Sequence, residues 1–284
     1  MLFKLNNVWH TYLRDTPFAI EALRGLSLTI ETGQTTALVG PTKSGKSTVV
    51  DLLAGLIRPG PGTAFFEGTD IAGSTFDSQR IRSRVGVVFQ SPEAQIFEET
   101  VGKDVSFGPR QKGVSLAESR RLVQTSLEAV GLPYEDFRSR YTYALSGGQK
   151  RRVAIAGVLA MQPKVIVLDE PTAGLDPRGR RDLLDLIHRL KHEHAMTIIY
   201  ASSSLQEVIE LADTVHILDQ GQLAFSGTPR AVLQRAAEIA TLDITLPEAT
   251  QIALALRECM PDFHTDVVSL TELEEEISRN MSKV

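Results

Sequence analysis

Apolar and polar positions divide the chain into short strands and amphipathic helices. Leu26 and Leu28 alternate with polar residues, which is the pattern of a half-buried strand. The apolar run at 164–168 is short, as in parallel strands that are buried on both faces, and residues 35–39 and 197–201 also predict strands. Residues 214–218 and 222–225 flank a short turn and predict a closing hairpin. These patterns predict an α/β protein whose N-terminal third carries an antiparallel β-subdomain.

The middle of the chain follows a helical pattern instead. Residues 115–129 predict a helix, which a glycine and a proline end shortly afterwards. Its predicted apolar positions are Leu116, Leu122, Leu127 and Val130. We therefore expect a helical subdomain over about 91–158, inserted into the α/β part of a core that spans 1–228.

Residues 229–284 form a separate C-terminal extension in this prediction. Thr228 and Pro229 are typical of a helix start. A second helix is expected after Pro247, with Ile252, Leu254 and Leu256 as its apolar members, and Ser269 with Glu272 predicts a capping box for a third. Roughly fifty residues bury little surface alone, so we expect this extension to pack on the core or on a partner.

Composition narrows the function classes. The chain has 284 residues, 42% of them hydrophobic and 23% charged, and its net charge is −5. The negative balance argues against nucleic acid as the main partner. A single cysteine, Cys259, excludes a disulfide framework and is typical of a reducing cytosol. Because no apolar run reaches about 18 residues, we expect any role at a membrane to come through an embedded partner.

Residues 40–48 match the pattern G-x-x-x-x-G-K-[ST], with a predicted strand before and a helix after them. In this context the loop's backbone N–H groups and the helix N-terminus favour phosphate groups. Lys46 would reach the β- and γ-phosphates, and the Ser47 hydroxyl would bind Mg²⁺. The alternative is a plain turn between strand and helix. The predicted nucleotide-binding residues here are Gly40, Pro41, Thr42, Lys43, Ser44, Gly45, Lys46, Ser47 and Thr48.

Two acids, Asp169 and Glu170, end the apolar run at 164–168. Side chains at the carboxyl ends of such strands line the ligand crevice of open α/β sheets. Asp169 would hold Mg²⁺, and Glu170 would act as the general base that polarises the attacking water. A solvated strand end is the alternative for the acids alone.

Residues 145–149 read Leu-Ser-Gly-Gly-Gln and open a predicted helix, which makes a second anion site. With the phosphate loop and the acids, this sequence makes residues 2–228 resemble the ATP-binding cassette (ABC) ATPases. The resemblance implies a P-loop NTPase fold of the RecA-like type, with ATP and Mg²⁺ as ligands. In that family two cassettes pair head to tail, so that the signature residues of one close over the phosphate loop of the other. The signature residues here are Ser146, Gly147, Gly148 and Gln149.

Other positions take their roles from the same resemblance. Gln90 occupies the Q-loop position, which contacts Mg²⁺ and the attacking water. Residues 173–176 resemble the D-loop, which crosses the dimer interface. Tyr12 stands where the family stacks an aromatic ring on adenine, and a half-buried strand tyrosine is the alternative.

One departure from the family pattern concerns hydrolysis. Ser203 stands in the place of the switch histidine, which normally contacts the γ-phosphate. A serine hydroxyl is shorter and carries no positive charge. His216 lies in a later strand, and His188 with His192 are i,i+4 neighbours that either hold a metal or belong to a solvated helix face. Lys43 is a smaller departure, because the family often has glycine there.

Two stretches indicate a subfamily. Residues 89–109 resemble the Q-loop region of energy-coupling factor transporter ATPases, and residues 246–257 resemble their C-terminal dimer-contact segment. In that subfamily two ATPases, alike or different, dock on a membrane scaffold subunit, and a separate membrane protein binds a vitamin or a metal ion. An apolar cluster at Ile96, Phe97 and Val101 is also typical of a groove for a partner's helix. We expect a peripheral protein on the cytoplasmic face of the membrane.

Several functions stay open at this point. The first is the ATPase subunit of an energy-coupling factor importer, and the second is a conventional ABC importer ATPase. A nucleotide-binding subunit with little hydrolysis is the third, because of Ser203. A soluble cassette protein acting on ribosomes or DNA is disfavoured by the single cassette, the short spacer and the negative charge. Because a homodimer would lack the switch histidine at both sites, we predict a heterodimer.

Overall fold

The computed structural model describes residues 1–73 and 76–281. Its strands alternate with helices after an N-terminal block of strands, as the apolar pattern predicts. The strands are β1 Phe3–Tyr12, β2 Ile20–Ile30, β3 Thr35–Val39, β4 Thr63–Phe66, β5 Thr69–Asp70, β6 Val85–Val88, β7 Val165–Asp169, β8 Thr197–Ser202, β9 Thr214–Asp219 and β10 Gln222–Gly227.

The helices differ widely in length, from single turns to the 18 residues of the helix that follows β7. They are α1 Lys46–Leu53, α2 Gln79–Arg82, α3 Val101–Gln111, α4 Leu116–Ala129, α5 Tyr134–Phe137, α6 Gly147–Ala160, α7 Pro177–His194, α8 Leu205–Val208, α9 Pro229–Leu233, α10 Ala236–Ile239, α11 Glu248–Cys259 and α12 Leu270–Met281.

The chain forms two compact units. The first contains 1–52, 56–77 and 199–284, and the second contains 53–55 and 78–198. The fold class predicted from the sequence is confirmed, because the chain is a mixed α/β protein with the strand–loop–helix arrangement of P-loop proteins. The boundary predicted at residue 228 stays a prediction.

The first unit opens with the predicted antiparallel sheet, in the order β2-β1-β4-β5. Phe3 pairs with Ile30 and Leu5 with Leu28, and these four side chains are buried. The alternation read along β2 therefore marks the face that packs into the core.

A second set of strands in the first unit carries the phosphate loop. β3 lies beside β9 in parallel, with Leu38 opposite His216, and β9 continues into β10 as the predicted hairpin. The turn of the hairpin uses positive φ angles at Gln220 and Gly221, +47° and +79°. Every residue of β3 is buried, as expected of a central parallel strand.

The second unit combines the parallel pair β6–β7 with packed helices. Val88 lies opposite Leu168 in this pair, and α3, α4 and α6 pack against one another. Leu122 and Leu127 of α4 are buried as predicted, but Leu116 is 75% exposed and the prediction for it is wrong. Leu116 is the first residue of α4, and the buried residues of this helix begin at Ser119.

Residues 229–281 form a small helical module within the first unit, called the C-terminal module below. Its apolar cluster comprises Ala249, Ala253, Phe263, Val267 and Leu273. Ala249 and Ala253 of α11 face the cluster, while Ile252 is 39% exposed. Leu256 packs only at its margin. Small residues on the buried face let α11 approach its neighbours closely.

The caps of the module agree with the sequence in most details. The Thr228 hydroxyl accepts a hydrogen bond from the N–H of Ala231, and Pro229 follows at the first helical position. The Ser269 hydroxyl accepts from the N–H of Glu272, as in the predicted capping box. The Glu272 carboxylate accepts from the N–H of Val268 rather than from that of Ser269, so only half of the box is formed.

Candidate functional site: a phosphate loop, a pair of strand-end acids and a signature helix

The phosphate loop joins β3 to α1, and backbone groups of distant residues approach it closely. A Cβ atom at Gly40 would lie 2.3 Å from the carbonyl oxygen of Leu218, so no larger residue fits there. Gly45 has a φ of +101°. The N–H of Gly40 donates to the Ser202 carbonyl at 3.2 Å, and the N–H of Gly221 donates to the Ser44 carbonyl at 3.0 Å. The two glycines of the motif are thus required by close backbone approach.

Lys46 lies at the centre of this loop. Its side chain is 7% exposed, and its Nζ donates to the carbonyls of Gly40 at 2.7 Å and Pro41 at 3.0 Å. An ammonium group at this position is the type of group that forms strong hydrogen bonds with phosphate oxygens. Ser47, the next residue, is exposed at the start of α1. The loop is compatible with phosphate groups, and the roles of Lys46 and Ser47 stay predictions.

Lys43 stands in the same loop in a strained conformation. Its φ is +67°, a region that non-glycine residues rarely adopt. The side chain is exposed, as is that of Thr42, so neither crowds the loop. The departure at Lys43 thus leaves the path of the loop unchanged.

Tyr12 ends β1 and reaches α1. Its hydroxyl lies 3.4 Å from the Thr48 hydroxyl and 3.4 Å from an Asp51 carboxylate oxygen. Burial raises the pKa of the Tyr12 phenol, and burial also raises the pKa of the Asp51 carboxyl. The ring lies edge-on to His10, with the centroids 4.6 Å apart. The side chain thus lies beside the helix that follows the phosphate loop, and adenine stacking stays a prediction.

In the second unit the strand-end residues gather at one edge. β6 and β7 run in parallel with Val88 opposite Leu168, so Gln90 and the acids after Leu168 follow the same ends of paired strands. Asp169 is 6% exposed. Glu170 has a φ of +45°, which costs of order 1–3 kcal/mol for a non-glycine residue. Glu170 shares a positive φ with other non-glycine residues such as Gln162 and Gln220, and its role as general base stays a prediction.

The signature residues open α6, a helix of 14 residues. Ser146 accepts from the N–H of Gln149 through its hydroxyl, and the Gln149 side chain accepts from the N–H of Ser146, which completes a capping box. A Cβ at Gly147 or Gly148 would meet nothing within 4 Å. Packing therefore does not require these glycines, and their missing side chains leave the helix start open to an approaching molecule.

Arg151 links the signature helix to the D-loop, a role that the sequence analysis missed. It is 6% exposed, and its Nη2 donates to the Ala173 carbonyl at 3.1 Å. Asp176, at the end of the same loop, caps α7 by accepting from the N–H of Gly179 at 2.7 Å. A basic residue one turn into a phosphate-binding helix is expected to be solvated, so its burial left no signal in the sequence.

The segment after β8 carries Ser203. Ser202 is fully buried, and its hydroxyl donates to a Glu207 carboxylate oxygen at 3.0 Å while accepting from the N–H of Ser204 at 3.0 Å. Ser203 itself is half-buried. The Ser202 side chain therefore fixes the turn that carries Ser203.

His216 does not supply the missing imidazole. Its ring is 2% exposed and lies 3.0 Å from the Thr29 carbonyl and 2.9 Å from the Ser226 hydroxyl. Burial lowers the pKa of His216, so the ring is neutral and structural. The rings of His188 and His192 lie 4.3 Å apart on α7. Across residues 1–73 and 76–281, no group of three or more His, Cys, Asp or Glu side chains is placed to hold a metal ion.

Comparison with known proteins defines the class first. The ABC transporter family model matches residues 23–173, from β2 through the acids to the D-loop. A phosphate loop, strand-end acids and a capped signature helix within such a match define an ABC-type ATPase, which binds ATP. A cassette named MJ0796, solved as a dimer bound to ADP and Pi, aligns with a TM-score of 0.71 and 28% identity over 80% of this chain and 99% of that one.

Curated relatives define the group more closely. The energy-coupling factor transporter ATP-binding protein EcfA2 of Clostridioides difficile is 44% identical over 96% of this chain and 95% of that protein. EcfA2 of Symbiobacterium thermophilum is 45% identical over 93% and 91%. The structure of cbiO1 from Clostridium perfringens, part of the complex cbiONQ, aligns with a TM-score of 0.75 and 35% identity over 85% of this chain and 94% of that one. The chain belongs to the ABC transporter family, among the energy-coupling factor transporter ATP-binding proteins.

Proposed function

We propose that this chain is the ATP-binding and ATP-hydrolysing subunit of an energy-coupling factor importer for vitamins or transition-metal ions. The observation that carries the proposal is Lys46, buried and held by the loop carbonyls of Gly40 and Pro41. Relatives named as energy-coupling factor ATP-binding proteins over nearly the whole chain support the transporter type. A conventional ABC importer ATPase is the alternative function.

In this proposal, different residues bind the phosphates, hold Mg²⁺ and take the proton of the attacking water. Lys46 and the backbone of residues 40–48 bind the phosphates, with Tyr12 against the adenine ring. Ser47, Gln90 and Asp169 would hold Mg²⁺, which supplies charge neutralisation on the phosphate oxygens. Glu170 takes the proton of the attacking water as general base. A partner cassette receives Ser146, Gly147, Gly148 and Gln149 on its own nucleotide.

The site on this chain's loop is proposed to be slow. Ser203 offers one hydroxyl hydrogen bond where a histidine would place a ring that can carry charge. A pair of two identical chains would have this weakness twice. We therefore propose a heterodimer, in which the site on the partner's loop drives transport and this chain's site holds ATP and helps to close the pair.

A groove in the second unit is proposed as the contact with the membrane scaffold. Its volume is about 280 Å³, and Phe97 and Phe107 line it with their rings at right angles, 4.7 Å apart. Phe97 is 64% exposed, whereas Val101 is fully buried, so the predicted inclusion of Val101 in a contact cluster is wrong. The Asp104 carboxylate accepts from the N–H groups of Phe97 and Glu98, which fixes the aromatic side of the groove.

Membrane association in this proposal comes from the scaffold subunit and from the dimeric assembly. No helix in the described part of the chain is both long and apolar enough to cross a membrane. The location proposed is the cytoplasmic face, peripheral, with a second cassette, a scaffold subunit and a substrate-binding membrane subunit as partners.

The test is co-purification with the scaffold subunit from membranes. Phe97→Asp places a charge in the groove and should remove most of the chain from the membrane fraction, because a desolvated carboxylate is costly. Leu116→Asp is the matched control, since Leu116 is also an exposed apolar residue of the second unit. If both variants and the wild-type chain were recovered equally in the membrane fraction, this would contradict the role of the groove as the scaffold contact. Failure of the wild-type chain to co-purify would contradict the transporter assignment.

A further inference from the structure

The C-terminal module forms a backbone bridge with the switch segment, defined here as residues 202–206. Ser204 and Thr245 form an isolated parallel β-bridge. The N–H of Thr245 donates to the Ser203 carbonyl at 3.3 Å, and the Thr245 carbonyl accepts from the N–H of Leu205 at 2.8 Å. The peptide groups on both sides of Ser204 are thus held by a residue 41 positions later in the chain.

The other end of the switch segment is held by the phosphate loop. The Ser202 carbonyl accepts from the N–H of Gly40 at 3.2 Å. Its side chain is fixed by Glu207 and by the N–H of Ser204. The backbone around Ser203 is therefore hydrogen-bonded on one side to the phosphate loop and on the other side to the C-terminal module.

Buried neighbours and hydrogen bonds within the C-terminal module fix the backbone of Thr245. Ile244 and Leu246 on either side of it are 6% and 4% exposed, while the Thr245 side chain points to solvent. The Leu246 carbonyl accepts from the Gln251 amide at 2.8 Å, which ties the bridge to α11. The Thr250 hydroxyl of the same helix donates to the Val267 carbonyl at 2.7 Å inside the module. A shift of α11 would therefore move the Thr245 backbone with it.

We propose that the C-terminal module positions Ser203 at the nucleotide, with Thr245 as the positioning residue. The inference rests on the proposed function, in which Ser203 occupies the switch position. A histidine reaches a phosphate through a long side chain, but a serine hydroxyl lies one bond beyond Cβ. The reach of Ser203 is thus set by its backbone, and the bridge to Thr245 fixes that backbone. The module acts on the hydrolytic step and leaves nucleotide binding to the phosphate loop.

The test compares Thr245→Pro with Thr245→Ala in the full-length chain, assembled with a partner cassette whose catalytic Glu is replaced by Gln. Proline removes the N–H that donates to Ser203, whereas alanine keeps it and changes only an exposed side chain. We expect proline to lower the single-turnover rate about tenfold, the order expected for one lost hydrogen bond. The affinity for MgATP should stay within about threefold of the wild type, and alanine should match the wild type in both.

A double-mutant cycle separates positioning from a general structural effect. In a Ser203→Ala background the hydroxyl is absent, so Thr245→Pro should lower the rate no further. An equal fall in both backgrounds would overturn the proposal, and so would a proline variant that turns over like the wild type. If the proline variant does not fold, Gln251→Leu replaces it, because it removes the hydrogen bond to the Leu246 carbonyl and keeps every backbone donor. We expect this variant to lower the single-turnover rate less than proline does, and only when the Ser203 hydroxyl is present. An unchanged rate would overturn the proposal.

Failure of this inference and failure of the proposed function give different results. Without an ATP site, the wild-type chain itself would not bind MgATP in calorimetry, whatever stands at position 245. With the ATP site intact and the inference wrong, MgATP binding persists, and the proline variant either turns over like the wild type or loses rate equally with and without the Ser203 hydroxyl.

Discussion

The phosphate loop and the switch segment lie at the ends of neighbouring strands, β3 and β8, and are held in different ways. The Lys46 ammonium donates to the carbonyls of Gly40 and Pro41, within six residues of itself. The switch segment depends on Thr245, which is far away in the chain. The loop is also bonded to distant residues, Gly40 to Ser202 and Ser44 to Gly221, but its lysine is held within the motif, whereas the backbone of Ser203 is held by a residue outside its own segment.

This difference assigns separate tasks to the two regions. The loop retains its lysine, its exposed serine and both glycines, so we expect ATP binding to be intact. The switch segment has a serine at the position of the histidine, so we propose that the γ-phosphate and the attacking water have one charged contact fewer. We therefore expect binding and hydrolysis to respond to different mutations.

The largest expected effect comes from Lys46→Ala. Removing the buried cation at the phosphates should weaken MgATP binding about 1000-fold, as for a buried ion pair that loses one partner. Isothermal calorimetry on the purified chain measures the affinity. Lys43→Ala is the matched control in the same loop, and we expect its loss to stay below about tenfold, because Lys43 is exposed. Tight binding by the Lys46 variant would contradict the assignment of the loop.

A smaller and opposite effect is expected from Ser203→His. The loss of one charge-stabilising contact typically costs about 100- to 1000-fold in rate, and a grafted ring should recover at least tenfold of this. Single-turnover hydrolysis at this chain's site, with the partner's catalytic Glu replaced by Gln, measures the gain. Ser204→His places the same ring one residue later and should give none. A gain for both variants, or for neither, would show that Ser203 is not the limiting position.

The smallest expected effect is on the pH dependence of stability and comes from His216 in β9, the strand that pairs with β3. His216 is buried as the neutral ring, and burial lowers its pKa below the ordinary value, so the unfolded chain binds more protons at mildly acidic pH. The stabilisation from His216 is complete above a pH of about 6.5 and is lost as pH falls from there towards the lower native pKa. Urea unfolding at pH 7.5 and 5.5 measures it.

His216→Gln removes the titrating group from that strand. The variant should be less stable at pH 7.5, because the buried ring and its contacts with Thr29 and Ser226 are lost. Its stability should fall less between the two pH values than that of the wild type. An equal fall in both proteins would contradict the assignment of the pH dependence to His216.

Local patterns allowed most of the cassette to be predicted. The strand, loop and helix around Lys46, the buried strand before Asp169 and the cap at Ser146 are each specified within about ten residues of sequence. The hairpin at Gln220 and Gly221 is specified by its turn residues in the same way. Motif residues and the elements that carry them are neighbours in the chain, so the sequence was sufficient.

Features that depend on distant residues could not be predicted. The burial of Arg151 depends on the Ala173 carbonyl, and the support of Ser203 depends on Thr245. The sequence pattern of α11 showed its large apolar residues, but it did not show that Ala249 and Ala253 form the face buried in the cluster. These contacts follow from the tertiary arrangement, which no periodicity encodes.

The most direct test of the account is the ratio of single-turnover rates at the two sites of the assembled pair. One sample carries the partner's catalytic Glu replaced by Gln, so only the site on this chain's loop hydrolyses, and the other carries Glu170→Gln. Both samples are first saturated with MgATP. We predict that this chain's site is fully occupied yet hydrolyses about 100-fold more slowly than the partner's site. Equal rates at the two occupied sites would contradict the central claim that Ser203 separates binding from hydrolysis.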